Sequence, residues 1–355
     1  MSKRIAILGS GANGASIGAD LTKAGYDVML IDQWPEHVQA MRQRGIRIEM
    51  PDETLELPVR AYHLCDVCTF TERLDIVLLL VKAYDTRWSC QLIEPYLKPG
   101  GLVAGVQNGM TTDVIAEVVG TKRTMGCVIE ISSMMLDPGI VIRDSPPSRS
   151  WFAVGSIDPE TAGRESEIGD LLRHSGRVEY VNNIRASKWM KLVSNATTIV
   201  STALLGLPMH KAAALPGMRE LMLRSGQEAL DTGRVLGHPV LPIFGLTPED
   251  MRQSNRLVET LLDTLLAAFT LPNTLTTVLQ DWMKGRRSEA DNMNGQVVAE
   301  ARRLGLSTPV NAAIIELAHR VEQGSLKPDP ANLLLLQDLI ERLSEVSASE
   351  TKQAG

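Results

Sequence analysis

The sequence predicts an α/β fold, with a doubly wound parallel sheet in the N-terminal half and an all-α domain in the C-terminal half. Three observations predict it. Short aliphatic runs of strand length alternate with helical periodicity up to about residue 183. From residue 184 onward the strand signal stops and long helical patterns take over. At the first strand-to-helix junction stands a glycine pattern, Gly9-Ser10-Gly11-Ala12-Asn13-Gly14.

Taken in order, strands are expected over 3–8 and 27–32, each followed by a helix, over 12–24 and 37–44. Residues 46–60, broken at Pro51 and Asp52, read as a hairpin. A strand over 76–81 leads to a helix over 86–97 that Lys98, Pro99, Gly100 and Gly101 should end. A strand over 102–106 and a helix over 112–119 come next. Strands over 124–136, 140–143 and 151–154, a helix over 159–174 and a last strand over 178–181 complete the half. The helical half is expected as 185–205, 212–236, 248–269, 278–304, 311–322 and 332–345. The change of period near Asn182 and Asn183 places a dinucleotide-binding domain at 1–183 and a helical substrate and dimerisation domain at 184–346. The polar, unpatterned residues 347–355 are expected to be a disordered tail.

Composition removes several function classes. The 355 residues carry 36 Lys and Arg against 42 Asp and Glu, a net charge of −6, with no basic block, so nucleic acid is not an expected partner. No apolar run approaches membrane-span length, and residues 5–8 read as a first strand, so a cytoplasmic location is expected. Apolar residues are 44% and aromatics only 4%, so the cores must be built from aliphatic side chains and Met. Four cysteines do not make a disulfide framework. Cys65 and Cys68 form a CxxC with His63 two residues ahead, a half-site for zinc or a redox pair, but no second CxxC exists and no metal is expected.

The glycine pattern has a mechanical reading. Gly9 allows the tight turn, Gly11 lets the backbone approach a pyrophosphate, and Gly14 lets the helix pack on the strand. The helix N-terminus, entered through Ala12 and Asn13, then presents its partial positive charge to the phosphates. A kinase would need HRD and DFG later in the chain, and a Walker loop GKS or GKT; neither occurs. This is a Rossmann-type dinucleotide site. Asp32 closes the second strand, where a carboxylate hydrogen-bonds ribose hydroxyls and repels a 2′-phosphate, so NAD(H) is expected over NADP(H).

In the helical half, Lys191 and Asn195 are four residues apart and share one helix face, with Lys188 one turn earlier on the same side. With this stretch the chain resembles the ketopantoate reductase (2-dehydropantoate 2-reductase) family. The likeness runs through the glycine loop, Val81-Lys82-Ala83-Tyr84-Asp85-Thr86, Gln107-Asn108-Gly109-Met110 and Lys188-Trp189-Met190-Lys191-Leu192-Val193-Ser194-Asn195-Ala196. It continues through Gln280-Asp281, the stretch from Gly285 to Asp291, Asn294-Gly295 and the stretch from Ser307 to Asn311. The resemblance implies that Lys191 is the general acid that protonates the new alkoxide as hydride arrives from the nicotinamide. It implies that Asn195 holds substrate, that Asn108 lies beside nicotinamide and substrate, and that Glu289 is a site carboxylate near the lysine and the cofactor. Lys82 takes the position of a cofactor-contacting lysine, and Thr277 that of a substrate-binding serine. Chemically, ketone reduction needs a hydride donor and, within hydrogen-bond reach of the carbonyl oxygen, a proton donor.

Two departures shape the expected substrate and cofactor. Where the family has a second substrate asparagine this chain has Ile199, and leaving a buried substrate hydroxyl unpaired there costs about 1–3 kcal/mol. A substrate bulkier or more apolar than ketopantoate is therefore expected. The family commonly has a basic residue after the second strand, and Asp32 is acidic. The expectation is an NAD(P)H-dependent oxidoreductase, a homodimer, that interconverts a 2-oxo acid or related ketone and its hydroxy form. The rivals are a β-hydroxyacid or polyol-phosphate dehydrogenase, whose helical domains also carry KxxxN, and a non-catalytic NAD-binding redox sensor.

Overall fold

The computed structural model of the protein describes residues 3–252 and 256–354. Parallel β-pairing needs crossovers, and the first half supplies them. Strand β1 (Ile5–Leu8) runs into helix α1 (Ala12–Lys23), β2 (Val28–Asp32) into α2 (Pro35–Arg44). After β3 (Ile46–Glu49), β4 (Thr54–Leu57) and β5 (Arg60–His63) come β6 (Leu74–Leu79), α3 (Thr86–Ile93), β7 (Leu97–Val106) and α4 (Thr112–Val119). β8 (Thr124–Glu130), β9 (Ser133–Met134), β10 (Ile140–Arg143), β11 (Trp151–Ser156), α5 (Glu165–Leu172) and β12 (Arg177–Tyr180) close the series.

Eight strands form the main sheet in the order β12-β11-β8-β7-β6-β1-β2-β5, parallel except between β8 and β11. Ile5 and Ile7 face one core and Ala6 and Leu8 the other, so the sheet is covered on both sides. The chain runs outward from β1 in one direction through β2 and then returns to β6 on its other flank. This makes the gap between the ends of β1 and β6 a topological switch point.

The expected hairpin over 46–60 is present as β3 and β4, but it belongs to a second, four-stranded sheet, β4-β3-β10-β9, while β5 leaves it to join the main sheet. The single strand expected over 124–136 is two: β8 stops at Glu130 and β9 crosses to the second sheet. Residues 98–101, read as a loop, lie in β7, and a 3-10 turn over Glu94–Tyr96 ends the preceding helix. A buried ion pair, Arg143 Nη1 to Asp20 Oδ2 at 2.6 Å, anchors α1 to β10.

The helical part follows as α6 (Ile184–Ala203), α7 (Met209–Ala213), α8 (Met218–Val235), α9 (Pro248–Arg252), α10 (Leu257–Thr264), a π-helical turn over Leu265–Phe269, and α11 (Thr277–Met283). It ends with α12 (Asn294–Arg303), α13 (Pro309–Glu322) and α14 (Asn332–Ala354). Three long helices expected from periodicity are broken. Gly217, at φ 80°, separates α7 from α8, and Gly285, at φ 65°, follows α11. The third break, in 248–269, lies partly outside the described residues. The segment expected as a disordered tail is helical to Ala354, and Gly355 lies outside the described residues.

The chain divides into two compact units. The first holds the chain through Lys188 together with Ile243–Gly245 and Ala268–Thr270; the second holds the rest of the helical half. The division thus falls inside α6, and two short stretches of the expected helical domain belong with the sheet. Among the described residues, no helix is long and apolar enough to cross a membrane.

Candidate active site

The glycine loop is held in place by the strand next to it. Gly9 N and Ser10 N both donate to the Ile31 carbonyl, at 2.9 and 3.2 Å, fastening the loop to the end of β2. Gly9 has φ 95°, and a Cβ there would run into the backbone of Leu80 and Val81. A Cβ at Gly14 would overlap the Gly9 carbonyl. At Gly11, the N-cap of α1, a Cβ would meet nothing within 4 Å. The loop is therefore closed against the protein at its first and third glycines and open at the second, which fits a pyrophosphate approaching the N-terminus of α1. Asn13 is half-buried and its Oδ1 accepts from the Ser133 hydroxyl at 2.6 Å.

The first residue of the helix expected over 37–44 supports this loop. Gly139 N donates to His37 Nδ1 at 2.9 Å, so the proton sits on Nε2, which donates to the Ser10 carbonyl at 2.9 Å. His37 is fully buried and ties the loop to the turn before β10.

Because β1, β2, β6 and β7 are parallel, their C-terminal ends share one edge of the sheet. Gly9 follows β1, Asp32 ends β2, Lys82 lies just beyond β6 and Asn108 just beyond β7. Asp32 is buried, and its Oδ1 accepts from Trp34 N at 2.9 Å, so one carboxylate oxygen shapes the turn into α2. Lys82 and Asn108 are half-buried. Between them, buried Gln107 donates from Nε2 to the Val81 carbonyl at 2.7 Å and to Thr86 Oγ1 at 3.0 Å. Lys188, one turn before Lys191 on α6, has partners of its own on the sheet. Its buried ammonium donates to the carbonyls of Gln107 at 2.8 Å, just beyond β7, and Cys127 at 3.1 Å, in the middle of β8.

In the helical unit, α6 sets Lys191, Asn195 and Ile199 one turn apart on one face. All three are buried, and Lys191 Nζ donates to Asn195 Oδ1 at 2.6 Å. The same helix is gripped at the next residue. The Ala196 carbonyl accepts from Asn294 Nδ2 at 3.0 Å and from the Ser225 hydroxyl at 2.9 Å. Asn311 closes the cluster, accepting from Asn294 Nδ2 at 2.9 Å and donating to Glu228 Oε2 at 2.7 Å. Thr277 is the first residue of α11 and half-buried. Glu289 is buried at the start of a 3-10 turn over Ala290–Asn292, and its carbonyl accepts from Asn292 N at 2.9 Å.

Among the described residues no group of three or more His, Cys, Asp and Glu side chains could hold a metal. A cleft of about 440 Å³ beside the end of β11, lined by Ser156, Asp158, Asn182 and Arg185 among others, contains none of these site residues.

The family model described as "Ketopantoate reductase PanE/ApbA" matches residues 5–156, and its C-terminal counterpart matches residues 183–322. The 2-dehydropantoate 2-reductase of Archaeoglobus fulgidus is 26% identical over 91% of this chain and 99% of its own. That of Lactococcus lactis is 27% identical over 90% and 98%. Among solved structures, a PanE/ApbA family ketopantoate reductase from Ralstonia eutropha JMP134 superposes with a TM-score of 0.73 at 26% identity, covering 90% of this chain and 99% of that one. D-mandelate dehydrogenase, solved with NADH and anilino(oxo)acetate, shares the fold at a TM-score of 0.80 and 20% identity, with the same coverage. With both family models matched in order across most of its length, the chain belongs to the ketopantoate reductase family.

Proposed function

We propose that the protein is an NAD(P)H-dependent reductase that interconverts a 2-oxo acid or related ketone and its hydroxy form, with Lys191 as general acid and base. The observation that carries this reading is the buried Lys191 ammonium held on Asn195 Oδ1 at 2.6 Å, in a chain of this family. When bound, the dihydronicotinamide supplies the hydride. The protein's part is to polarise the carbonyl and deliver a proton to its oxygen, and an ammonium can do both. Asn195, whose oxygen accepts from Lys191, is assigned to holding the substrate. Asn108, at the sheet edge, is assigned to the junction of nicotinamide and substrate; Glu289 and Thr277 are assigned to carboxylate chemistry near the lysine and to anchoring of the substrate carboxylate.

For the cofactor, Gly9, Gly11, Ala12, Asn13 and Gly14 are assigned to the pyrophosphate, Lys82 to a contact along the dinucleotide, and Asp32 to the adenosine ribose. Asp32 Oδ1 serves the turn, so Oδ2 is the oxygen assigned to the ribose diol. A 2′-phosphate there would meet a buried carboxylate, which supports a preference for NADH over NADPH. Ile199 on the Lys191 face supports a substrate side chain more apolar than that of ketopantoate. A homodimer is proposed as well; one structural neighbour is titled a dimeric ketopantoate reductase from Staphylococcus aureus.

A panel of aliphatic, aromatic and hydroxylated 2-oxo acids, followed by NADH absorbance with NADPH in parallel, tests the reading. Turnover of at least one member is expected, with higher kcat/KM for NADH. Lys191→Ala should lose about 10²–10⁴-fold in kcat while NADH affinity stays within twofold. No turnover on any member, or a Lys191→Ala enzyme of near-normal rate, would overturn it. Equal or better efficiency with NADPH would overturn the assignment of Asp32.

A further inference from the structure

The reaction above leaves the CxxC unused. His63 ends β5 and is the register partner of Asp32 on β2. Its Nε2 lies 3.2 Å from the Gln33 carbonyl, which can only accept, so that nitrogen carries the proton. Nδ1 is then a bare lone pair, and two donors converge on it. They are the Cys65 backbone N–H at 3.5 Å and the Cys65 thiol, with Sγ at 3.0 Å. A thiol within reach of a base that a third group orients is the arrangement that activates a nucleophile. Cys68 Sγ donates to the Cys65 carbonyl at 2.9 Å, which sets the second thiol on the same 3-10 turn. The turn itself is pinned by Asp66 Oδ2, which accepts from His63 N at 2.7 Å and pairs with Arg42. Both thiols are exposed, whereas Cys90 and Cys127 are buried, and burial pushes their thiols up to about 12.

We propose that Cys65 is a peroxide-reactive thiol, with His63 as its base and Cys68 as its resolving thiol. His63 Nδ1 takes the Cys65 proton and the sulfur attacks an oxygen of a hydroperoxide. The O–O bond breaks, the sulfur becomes a sulfenic acid, and the alkoxide leaves as alcohol with the proton from Nδ1. The Cys68 sulfur then attacks the Cys65 sulfur. The S–S bond forms, the S–O bond breaks, and hydroxide leaves as water with the Cys68 proton. Two thiols lose two electrons and the hydroperoxide gains them.

The test needs no turnover. Full-length reduced protein is titrated with hydrogen peroxide and followed by intact and peptide mass. Loss of two hydrogens confined to the peptide holding Cys65 and Cys68 is expected, with Cys90 and Cys127 unchanged. In Cys68→Ser, dimedone should trap the sulfenic acid at Cys65. His63→Gln and His63→Asn should each slow the trapping by about tenfold. Oxidation of Cys65 no faster than that of free cysteine, or a rate unmoved in both His63 variants, would overturn the proposal. The imidazole also holds Gln33, beside Asp32, so the oxidised protein should bind NADH at least threefold more weakly than the reduced protein, with Cys65→Ser insensitive to peroxide. This arm rests on the cofactor reading, and unchanged affinity in protein shown by mass to be oxidised would overturn the coupling alone.

Discussion

At Gly14 the smallest possible side chain would overlap the Gly9 carbonyl, while at Gly100 an added methyl meets nothing. Gly14→Ala should therefore weaken NADH binding more than tenfold by pushing α1 off β1, and Gly100→Ala should leave it unchanged; fluorescence titration of NADH separates the two. Ile199 supports a second substitution. Ile199→Asn restores a hydrogen-bonding partner where a substrate hydroxyl would be buried, a difference of about 1–3 kcal/mol. Its kcat/KM for ketopantoate should rise relative to that for an apolar 2-oxo acid, and a ratio that stays put would remove Ile199 from the specificity argument. At this scale the sequence was legible where partners are near in the chain. The glycine loop is one turn, and Lys191 meets Asn195 across one turn of α6. The partners of Lys188 were not legible because they lie 81 and 61 residues away, and those of His37 were not because its acceptor and donor belong to other turns.

Helices are placed by what grips them, and α6 is gripped at Ala196 by side chains from α8 and α12. Asn294→Ala removes one of two donors to that carbonyl and strands Asn311 Oδ1 with the weaker Ser225 contact at 3.2 Å. It should speed amide exchange in α6 and lower kcat while leaving NADH affinity unchanged. If kcat of the folded variant equals that of the parent, the cluster is only scaffolding. Glu228, a residue of α8 whose carboxylate accepts from the backbone at the start of α13, supplies a pH signature. Burial raises its carboxyl above the ordinary range, against the opposing pull of N–H donors from Asn311 and Val310. A raised carboxyl pKa means stability that is complete below the unfolded value and lost as pH climbs through the folded one. The stability of the parent relative to Glu228→Gln should therefore fall as pH rises through that range, and thermal melts at stepped pH showing a growing advantage would contradict the assignment. The elements themselves were mostly legible from period and turn residues. The second sheet was not, because β3 pairs in parallel with β10 from far along the chain, and periodicity carries no information about such a partner. The helix breaks at Gly217 and Gly285 were legible but not used: Pro216-Gly217 is a turn signal, and residues 284–289 carry no apolar side chain to continue a helical stripe.

For the whole molecule, the change of period near residue 183 points to a single cut between two halves, yet the sheet unit takes back Ile243–Gly245 and Ala268–Thr270. The reason is aromatic and polar at once. Phe244 packs edge-on to Trp151 with centroids 5.9 Å apart, and Phe269 packs on Phe244 at 5.1 Å. Arg149 Nε donates to the Ala268 carbonyl at 2.9 Å, fixing the second stretch from the sheet side. Phe244 sits at φ 63°, a conformation costly for a bulky residue and kept only where packing over-determines it. A chain ending at Lys188 therefore lacks the cover over Trp151, and it should melt well below the sheet unit of the full chain or fail to stay monomeric. In the full chain, Phe269→Ala should cost about 3–5 kcal/mol of unfolding free energy, as truncation of a buried phenylalanine does. Denaturant melts of both proteins measure this. A fragment ending at Lys188 that matches the full chain in midpoint would show that the sheet needs nothing from the helical half of the sequence.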